Sequence, residues 1–421
     1  MSRMATSAAI DAHYYNSFGR AAGYLPQDRA HAHAWAKEFA ERAMEHKGDH
    51  IPPVADLERL LDTDPVVHQY VAGMIEQVPE GERIVTDIPH LLQCLDKIAV
   101  TAPEYEWDPA KRVFFPMSTL FVHMMATDGG WNAFRNAAFN DALAGVLQYW
   151  FKFLSNEIAG EDSRVVLNKG PQGWFSQPAY EQNKLYEFDI DLSQEYGGLA
   201  SYNAFFHRPI KQEFRPLTTD AAAVASPNDG KVVRYRQDVR RKDQFWLKGQ
   251  PYSLENMLDN SEYTDRFVGG DVLQTFLSGA DYHRWHSPVD GKVVACDTVP
   301  GYMFAELQSM GDDPTAGTHS QCYGASVNTR GIVIIESTAP AIGLVCVMPI
   351  GITEISSITH TVGVGDTITK GQEIGYFSYG GSSMCLLFER NKVDITVPQN
   401  ESGDADSGAP VFVNAQIARA K

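Results

Sequence analysis

Near residue 200 the apolar residues of this chain change their spacing, and that change restricts the available folds more than any single motif does. From about residue 29 to 160, segments such as RAHAHAWAKEFAERAMEH, DLERLLDTDPVVHQYVAGMIEQV, IPHLLQCLDKIAV and FNDALAGVLQYWFKFLSNEIAG place apolar residues three and four apart, the period of helices that bury one face. A polar stretch, NKGPQGWFSQP, follows, and then LASYNAFFHRPIKQEFRPL, which predicts one short helix closed by an Arg-Pro exit. From about Ala223 onward the pattern becomes short β-branched runs between turn signals: GKVVRYR, FWLKG, GKVVACD, GIVIIES, IGLVCVMPIG, EISSITHTVGVG and DTITKGQEIGYF. The expected class is α+β, with a helical domain over residues 1–200 followed by an antiparallel β-sandwich over 201–421.

Within the β half, SPNDGKVV (Ser226 to Val233) and SPVDGKVV (Ser287 to Val294) agree at seven of eight positions. Each Asp-Gly is a turn feeding a strand, which predicts a duplicated hairpin motif. The segment Val362 to Phe377 has the turn-rich look of the hammerhead in biotinyl and lipoyl carrier domains. Its Lys370 lies in TKGQ rather than the Met-Lys context of a carrier, so the likeness concerns fold alone.

Composition removes several function classes. With 44% hydrophobic and 11% aromatic residues over 421 positions, two or three domains can each bury a core. Lys and Arg number 35 against 53 Asp and Glu, a net charge of −18 without a dense basic cluster, which argues against nucleic acid and against an anionic membrane surface. No run approaches the roughly 18 apolar residues of a spanning helix, and MSRMATSAAIDAHYYN lacks a signal-peptide core, so the expected location is the cytoplasm. Cys94, Cys296, Cys322, Cys346 and Cys385 are odd in number and form no CxxC, which predicts free thiols and neither a disulfide framework nor a zinc site.

Two places carry chemistry. His283 and His286 stand in GADYHRWHSPVDG, without the Glu-x-x-His or Cys partner that a metal site would need, so a general-base role is favoured and no metal is expected. Near the C-terminus YFSYGGSSMC interrupts two apolar runs with two glycines and two serines, a hairpin turn by local rules.

Taken in order, the Asp-Gly turn, DYHRWH and YFSYGGSS resemble the phosphatidylserine decarboxylase family. Its members carry an Asp-Gly turn, an Asp-Tyr-His-Arg-x-His block and a terminal Gly-Ser-Thr or Gly-Gly-Ser motif. The likeness spans about residues 200–390 and includes FFHRPIKQEFRP, similar to the family's Phe-Phe-x-Arg lead-in. The resemblance implies self-cleavage between Gly381 and Ser382, with Gly380 and Gly381 leaving the attack unobstructed. Ser382 then becomes a pyruvoyl group, the cofactor, with no pyridoxal phosphate required, and the two fragments stay associated.

His286 matches the family's base and Asp229 the carboxylate that orients it, with Asp290 of the second repeat in reserve. His283 matches the histidine used around decarboxylation and reprotonation, and Ser383, where relatives often have Thr, supports the turn. DTDPVVHQYV, PIGITEISS and GADYHRWHSPVDG are similar to the family's soluble branch, which includes a fungal tryptophan decarboxylase. That branch implies a small-molecule partner, a free aromatic L-amino acid with tryptophan foremost. Asp229 in PNDG has the form of lipid-acting members, which keeps phosphatidylserine as the alternative substrate.

Overall fold

The structure is a computed structural model that describes residues 26, 28–45, 48–243, 252–305, 317–354, 357–379, 381–400 and 408–421. Of the sequence features above, the segment MSRMATSAAIDAHYYN (residues 1–16), the FWLKG run (Phe245 to Gly249) and Gly380 lie outside the described residues.

The helical period produces α1 (Arg29–Ala43), α2 (Pro52–Thr63), α3 (Pro65–Glu76), α4 (Ile88–Ile98), α5 (Pro116–Met125), α6 (Asp128–Ala133), α7 (Ala137–Leu154), α8 (Gln177–Gln182) and α9 (Tyr202–Phe206). Most starts are written locally. Asp64 accepts from the amides of Val66 and Val67 with Pro65 in the first turn, Asp87 accepts from His90 N, and Asn136 from Phe139 N. Helix α5 differs: every residue from Pro116 to Met125 is buried, and its N-cap Phe115 supplies no side-chain acceptor.

The β half contains β1 (Ala223–Ala225), β2 (Gly230–Arg236), β3 (Asp271–Leu277), β4 (Arg284–His286), β5 (Gly291–Val299), β6 (Arg330–Ser337) and β7 (Leu344–Ile352). It continues with β8 (Ile358–His360), β9 (Thr367–Ile368), β10 (Glu373–Phe377), β11 (Gly381–Phe388), β12 (Val393–Ile395), β13 (Pro410–Val411) and β14 (Gln416–Ala420). An eight-stranded antiparallel sheet runs β13-β2-β3-β11-β7-β6-β5-β9, and two three-stranded sheets run β1-β14-β12 and β4-β10-β8. The class is α+β.

Strand alternation gives the large sheet two buried faces. Met384, Leu386 and Phe388 of β11, with Val345 and Val347 of β7, join a core that continues through Leu57, Val71, Leu95, Phe121 and Trp150 of the helices. Cys385, Leu387, Cys346 and Met348 face a second core. Burial on both faces explains why GIVIIES and IGLVCVMPIG are almost uninterrupted apolar runs. All five cysteines are free thiols.

Both repeats build the same turn. Ser226 Oγ donates to Asn228 O and Ser287 Oγ to Val289 O, each at 2.7 Å. Each following strand shifts register at the corresponding place, between Val232 and Arg234 and between Val293 and Ala295. A Cβ on either Gly230 or Gly291 would sit 2.4 Å from the neighbouring strand's carbonyl oxygen, which accounts for glycine at both. In the second turn the side chain of Asp290 accepts from Lys370 N at 2.8 Å, and Lys370 Nζ donates to the carbonyls of Asp220 and Ala223.

The halves are joined by packed rings. Phe121 of α5 lies 5.3 Å from Phe134 and 5.1 Å, edge-on, from Phe304 of the β half. Replacing Phe121 by alanine should lower unfolding stability by about 3–5 kcal/mol, measurable by urea titration.

Candidate active site

The strand pairing shows what surrounds the Gly-Ser motif. Strand β10 pairs with β4 and β8, whereas β11 pairs with β3 and β7, so the chain changes sheets between Phe377 and Gly381. Tyr379 anchors this crossing: its amide donates to Asn203 Oδ1 at 3.0 Å and its hydroxyl to the Phe114 carbonyl. The ring stands edge-on to Trp150, Tyr202 and Phe206 at 5.1–5.5 Å. Immediately beyond, Gly381 faces Ile352, and Ser382 faces Leu277 on one side and Gly351 on the other.

The two serines differ. Ser383 Oγ accepts from Gln274 Nε2 at 2.9 Å and donates to Thr275 O at 2.8 Å, so its hydrogen bonds are made. Ser382 is fully buried, and among the described residues its Oγ has no hydrogen-bond partner. A buried hydroxyl without a partner is rare and calls for an explanation; an attacking nucleophile is one.

The histidine block is equally differentiated. His283 is fully buried, stacked on Phe206 with centroids 3.8 Å apart, and among the described residues its ring nitrogens have the backbone of Asp281 and Phe206 near them as polar company. Burial, reinforced by the Arg208 guanidinium, pushes its pKa well below the ordinary value, so the ring is neutral. Arg208 is itself tied to the carbonyls of Phe205 and Ala280 and lies over the Phe188 ring. Arg284 donates to both carboxylate oxygens of Glu373 at 2.8 Å and to His207 O at 2.6 Å.

His286 is held at both nitrogens. Nδ1 lies 2.7 Å from the Gly371 carbonyl, which can only accept, so Nδ1 carries the proton and Nε2 the lone pair. Nε2 is 2.8 Å from the Tyr282 hydroxyl, which therefore donates to it. Burial lowers the pKa of His286, against the Gly371 hydrogen bond and the charges of Glu373 and Asp229, leaving a neutral imidazole in the tautomer a base requires.

Asp229 does not bond to His286. Its carboxylate accepts from Arg215 Nε and Nη2 at 2.5–3.0 Å and from Val413 N at 2.8 Å, and Arg215 also reaches Glu187 at 2.9 Å. Asp229 acts on His286 through its charge, while the Gly371 carbonyl sets the ring's orientation. Next to these groups Asp281 accepts from Ser278 N at 2.7 Å, and burial pushes its carboxyl up to about 6. Asp290 is exposed and engaged with Lys370, apart from this cluster.

A cleft of about 390 Å³ opens between the helical and β halves, with Arg112, Phe114, Asp229, Phe276, Asp281 and Tyr282 among its lining residues. Tyr282, Asp281, Arg215 and the Gly371 carbonyl are thus site groups that sequence reasoning passed over. The first two lie inside DYHRWH and Arg215 lies in FFHRPIKQEFRP, so all three were open to recognition there; the Gly371 carbonyl comes from a turn distant in sequence.

Two family models described as phosphatidylserine decarboxylase match the chain, at residues 202–412 and 51–183. Among similar proteins, the decarboxylase iboD of Amanita muscaria (strain Koide BX008) is 33% identical, covering 77% of this chain and 99% of its own length. The L-tryptophan decarboxylase of Psilocybe cubensis is 31% identical, covering 79% of each chain. A phosphatidylserine decarboxylase proenzyme of Fusobacterium nucleatum subsp. nucleatum is 31% identical, over 50% of this chain and 67% of its own. These matches make the chain a decarboxylase, and it belongs to the phosphatidylserine decarboxylase family.

Proposed function

We propose that this chain cuts its own Gly381–Ser382 bond, converts Ser382 to a pyruvoyl group, and decarboxylates a free aromatic L-amino acid, tryptophan foremost, to the amine and CO2. The observation that carries the first part is the buried Ser382 hydroxyl, without a partner among the described residues, beside a fully bonded Ser383. In the cut, Ser382 Oγ attacks the Gly381 carbonyl carbon, its proton passes by way of a base to the departing Ser382 nitrogen, and the amide becomes an ester. Loss of the Ser382 Cα proton expels the Gly381 carboxylate and leaves dehydroalanine; water then replaces the nitrogen, released as ammonia. His286, neutral with its Nε2 lone pair accepting from the Tyr282 hydroxyl, is the base, Asp229 supports it by charge, and Asp290 remains structural.

The pyruvoyl carbonyl supplies an electron sink when a substrate amine is bound. Phe114, Phe276 and Tyr282 of the cleft offer apolar faces to an aromatic side chain, and Arg112 a positive charge. Its volume lies within the usual 300–1,000 Å³ range of small-molecule sites. To His283, buried and neutral, we assign the return of a proton to the product carbon. We assign residues 1–200 to a helical domain and 201–421 to a catalytic β-sandwich with a duplicated turn-strand motif, the two fragments staying together through the shared core. Among the described residues no helix is long and apolar enough to cross a membrane, and we place the enzyme in the cytoplasm.

The amino-acid assignment rests on the match to the L-tryptophan decarboxylase extending over 79% of the chain, whereas the bacterial phosphatidylserine decarboxylase match covers 50%. The test is CO2 release from tryptophan, tyrosine, phenylalanine, alanine and phosphatidylserine vesicles in parallel. Aromatic amino acids should exceed alanine by about 10–100 fold in kcat/KM, as expected from burying a ring. Turnover of the vesicles with the free amino acids untouched would replace this reading with the lipid one.

A further inference from the structure

Helix α5 begins without a cap of its own, and the acceptor it lacks comes from the β half. Glu354 is buried; its Oε1 accepts from Ser118 N at 2.8 Å and its Oε2 accepts from Ser118 Oγ. Ser118 is the third residue of α5, and its amide is among those that an N-cap side chain ordinarily satisfies. Glu354 lies two residues beyond Ile352, and Ile352 is the β7 residue that faces Gly381. Between them Thr353 has a φ of 53°, a left-handed conformation that a β-branched residue adopts only under constraint. Two bonds hold it: Thr353 N to Met303 O and Thr353 Oγ1 to Glu354 Oε2, each 3.0 Å.

The other flank of the scissile bond is bound to the same place. Tyr379, three residues before Ser382, donates its hydroxyl to the carbonyl of Phe114, and its ring packs against Phe115 with centroids 6.4 Å apart. Five consecutive residues, Phe114 to Ser118, therefore grip the chain just upstream of the cut and the end of the strand paired with it. We propose that this segment is a maturation clamp: by holding Tyr379 and Glu354 together it sets the Gly381–Ser382 peptide in the geometry that Ser382 needs to attack. The helical half is then required for self-cleavage as well as for substrate binding. Glu354, Ser118 and Tyr379 are positioning residues, since none of the bonds found for them reaches Ser382.

The proposal rests on the self-cleavage reading above, and the experiment separates the two. Full-length chain is made in a cell-free system, its folded fraction followed by resistance to limited proteolysis and its cut by denaturing electrophoresis. Glu354→Gln, Ser118→Ala and Tyr379→Phe should each lengthen the half-time of cleavage of folded chain by about tenfold or more, the size of effect expected when a reacting group is misplaced. Ser118→Thr, which keeps a hydroxyl, should restore most of the rate. Melting temperatures of the same variants in an uncleavable Ser382→Ala background should stay within a few degrees of their parent. Slowing only in proportion to the lost folded fraction, or folded variants that cut at the wild-type rate, would overturn the clamp. Should Glu354→Gln fail to fold, Tyr379→Phe, which removes one oxygen atom, decides the matter. A wild-type chain that stays uncut would instead remove the self-cleavage reading itself.

Discussion

Ser382→Ala should remain one full-length polypeptide with decarboxylase activity at background, while the wild type separates on a denaturing gel into fragments of residues 1–381 and 382–421. The reason lies in the hydroxyl. Alanine keeps the backbone pairing of Ser382 with Leu277 and Gly351 and leaves no buried polar atom unsatisfied, so the variant should fold at least as well as the parent. It has no oxygen to receive the Gly381 acyl group, so neither the cut nor the prosthetic group can form. Ser383→Ala is the control: its hydroxyl is occupied by Gln274 and Thr275, so the variant should lose some stability and still be cut. Intact mass measurement reads both results. Cleavage persisting in Ser382→Ala would place the nucleophile elsewhere.

His286→Ala should slow the cut by about 10²–10⁴ fold, the usual contribution of a positioned base. Its pH dependence follows from the environment of the ring. Burial holds the pKa of His286 below the ordinary value of about 6.5, so the neutral form dominates at pH 7 and the rate should be level from there upward. As pH falls through the depressed pKa, the base becomes protonated and the rate should drop, with the midpoint of the acid limb below pH 6.5. An acid limb centred above neutrality would exclude His286. Asp229→Asn should move that midpoint further down, because it removes a negative charge that favours imidazolium.

The same histidines give stability a direction with pH. Burial lowers His283 and His286, and lowers His207 to about 4, so the unfolded chain takes up protons on acidification before the folded chain does. Stability should fall as pH drops below about 6.5, seen as a lower melting temperature at pH 5.5 than at pH 7.5. Asp281 works in the opposite sense, since its raised carboxyl pKa favours the folded state as it protonates near pH 6. His360 shares the direction of the other imidazoles and Asp271 and Glu354 that of Asp281, so among the described residues four imidazoles stand against three carboxyls.

Local physics explains which parts of this enzyme could be read from its sequence. The helices, their Asp and Asn caps and the buried strands are set by neighbours within a few residues, and the switch of period near residue 200 marked the two halves. The two Ser-Pro-x-Asp-Gly turns are likewise complete within five residues, which is why their repetition survived into identical hydrogen bonds. Ser382 and the histidine block were legible because their residue types and order resemble a known family, although spacing alone left the former as an ordinary turn. Asp229 shows the limit of that route: its carboxylate is engaged by Arg215, and His286 takes its orientation from the carbonyl of Gly371, a contact that any residue at that position makes.

The sequence by itself determined the class of fold and the free thiols, because each depends on local pattern or on residue chemistry that no packing can supply, and it singled out the adjacent serines and the histidine pair as candidates. Tertiary structure decided the rest. It distinguished two adjacent serines, bonding Ser383 and leaving the Ser382 hydroxyl without a partner among the described residues. It fixed the tautomer of His286 through a carbonyl 85 residues away, and it capped α5 with Glu354, separated from Ser118 by 236 residues. Such contacts leave no periodic trace in the chain, since a hydrogen bond constrains two atoms in space and places no requirement on what lies between them.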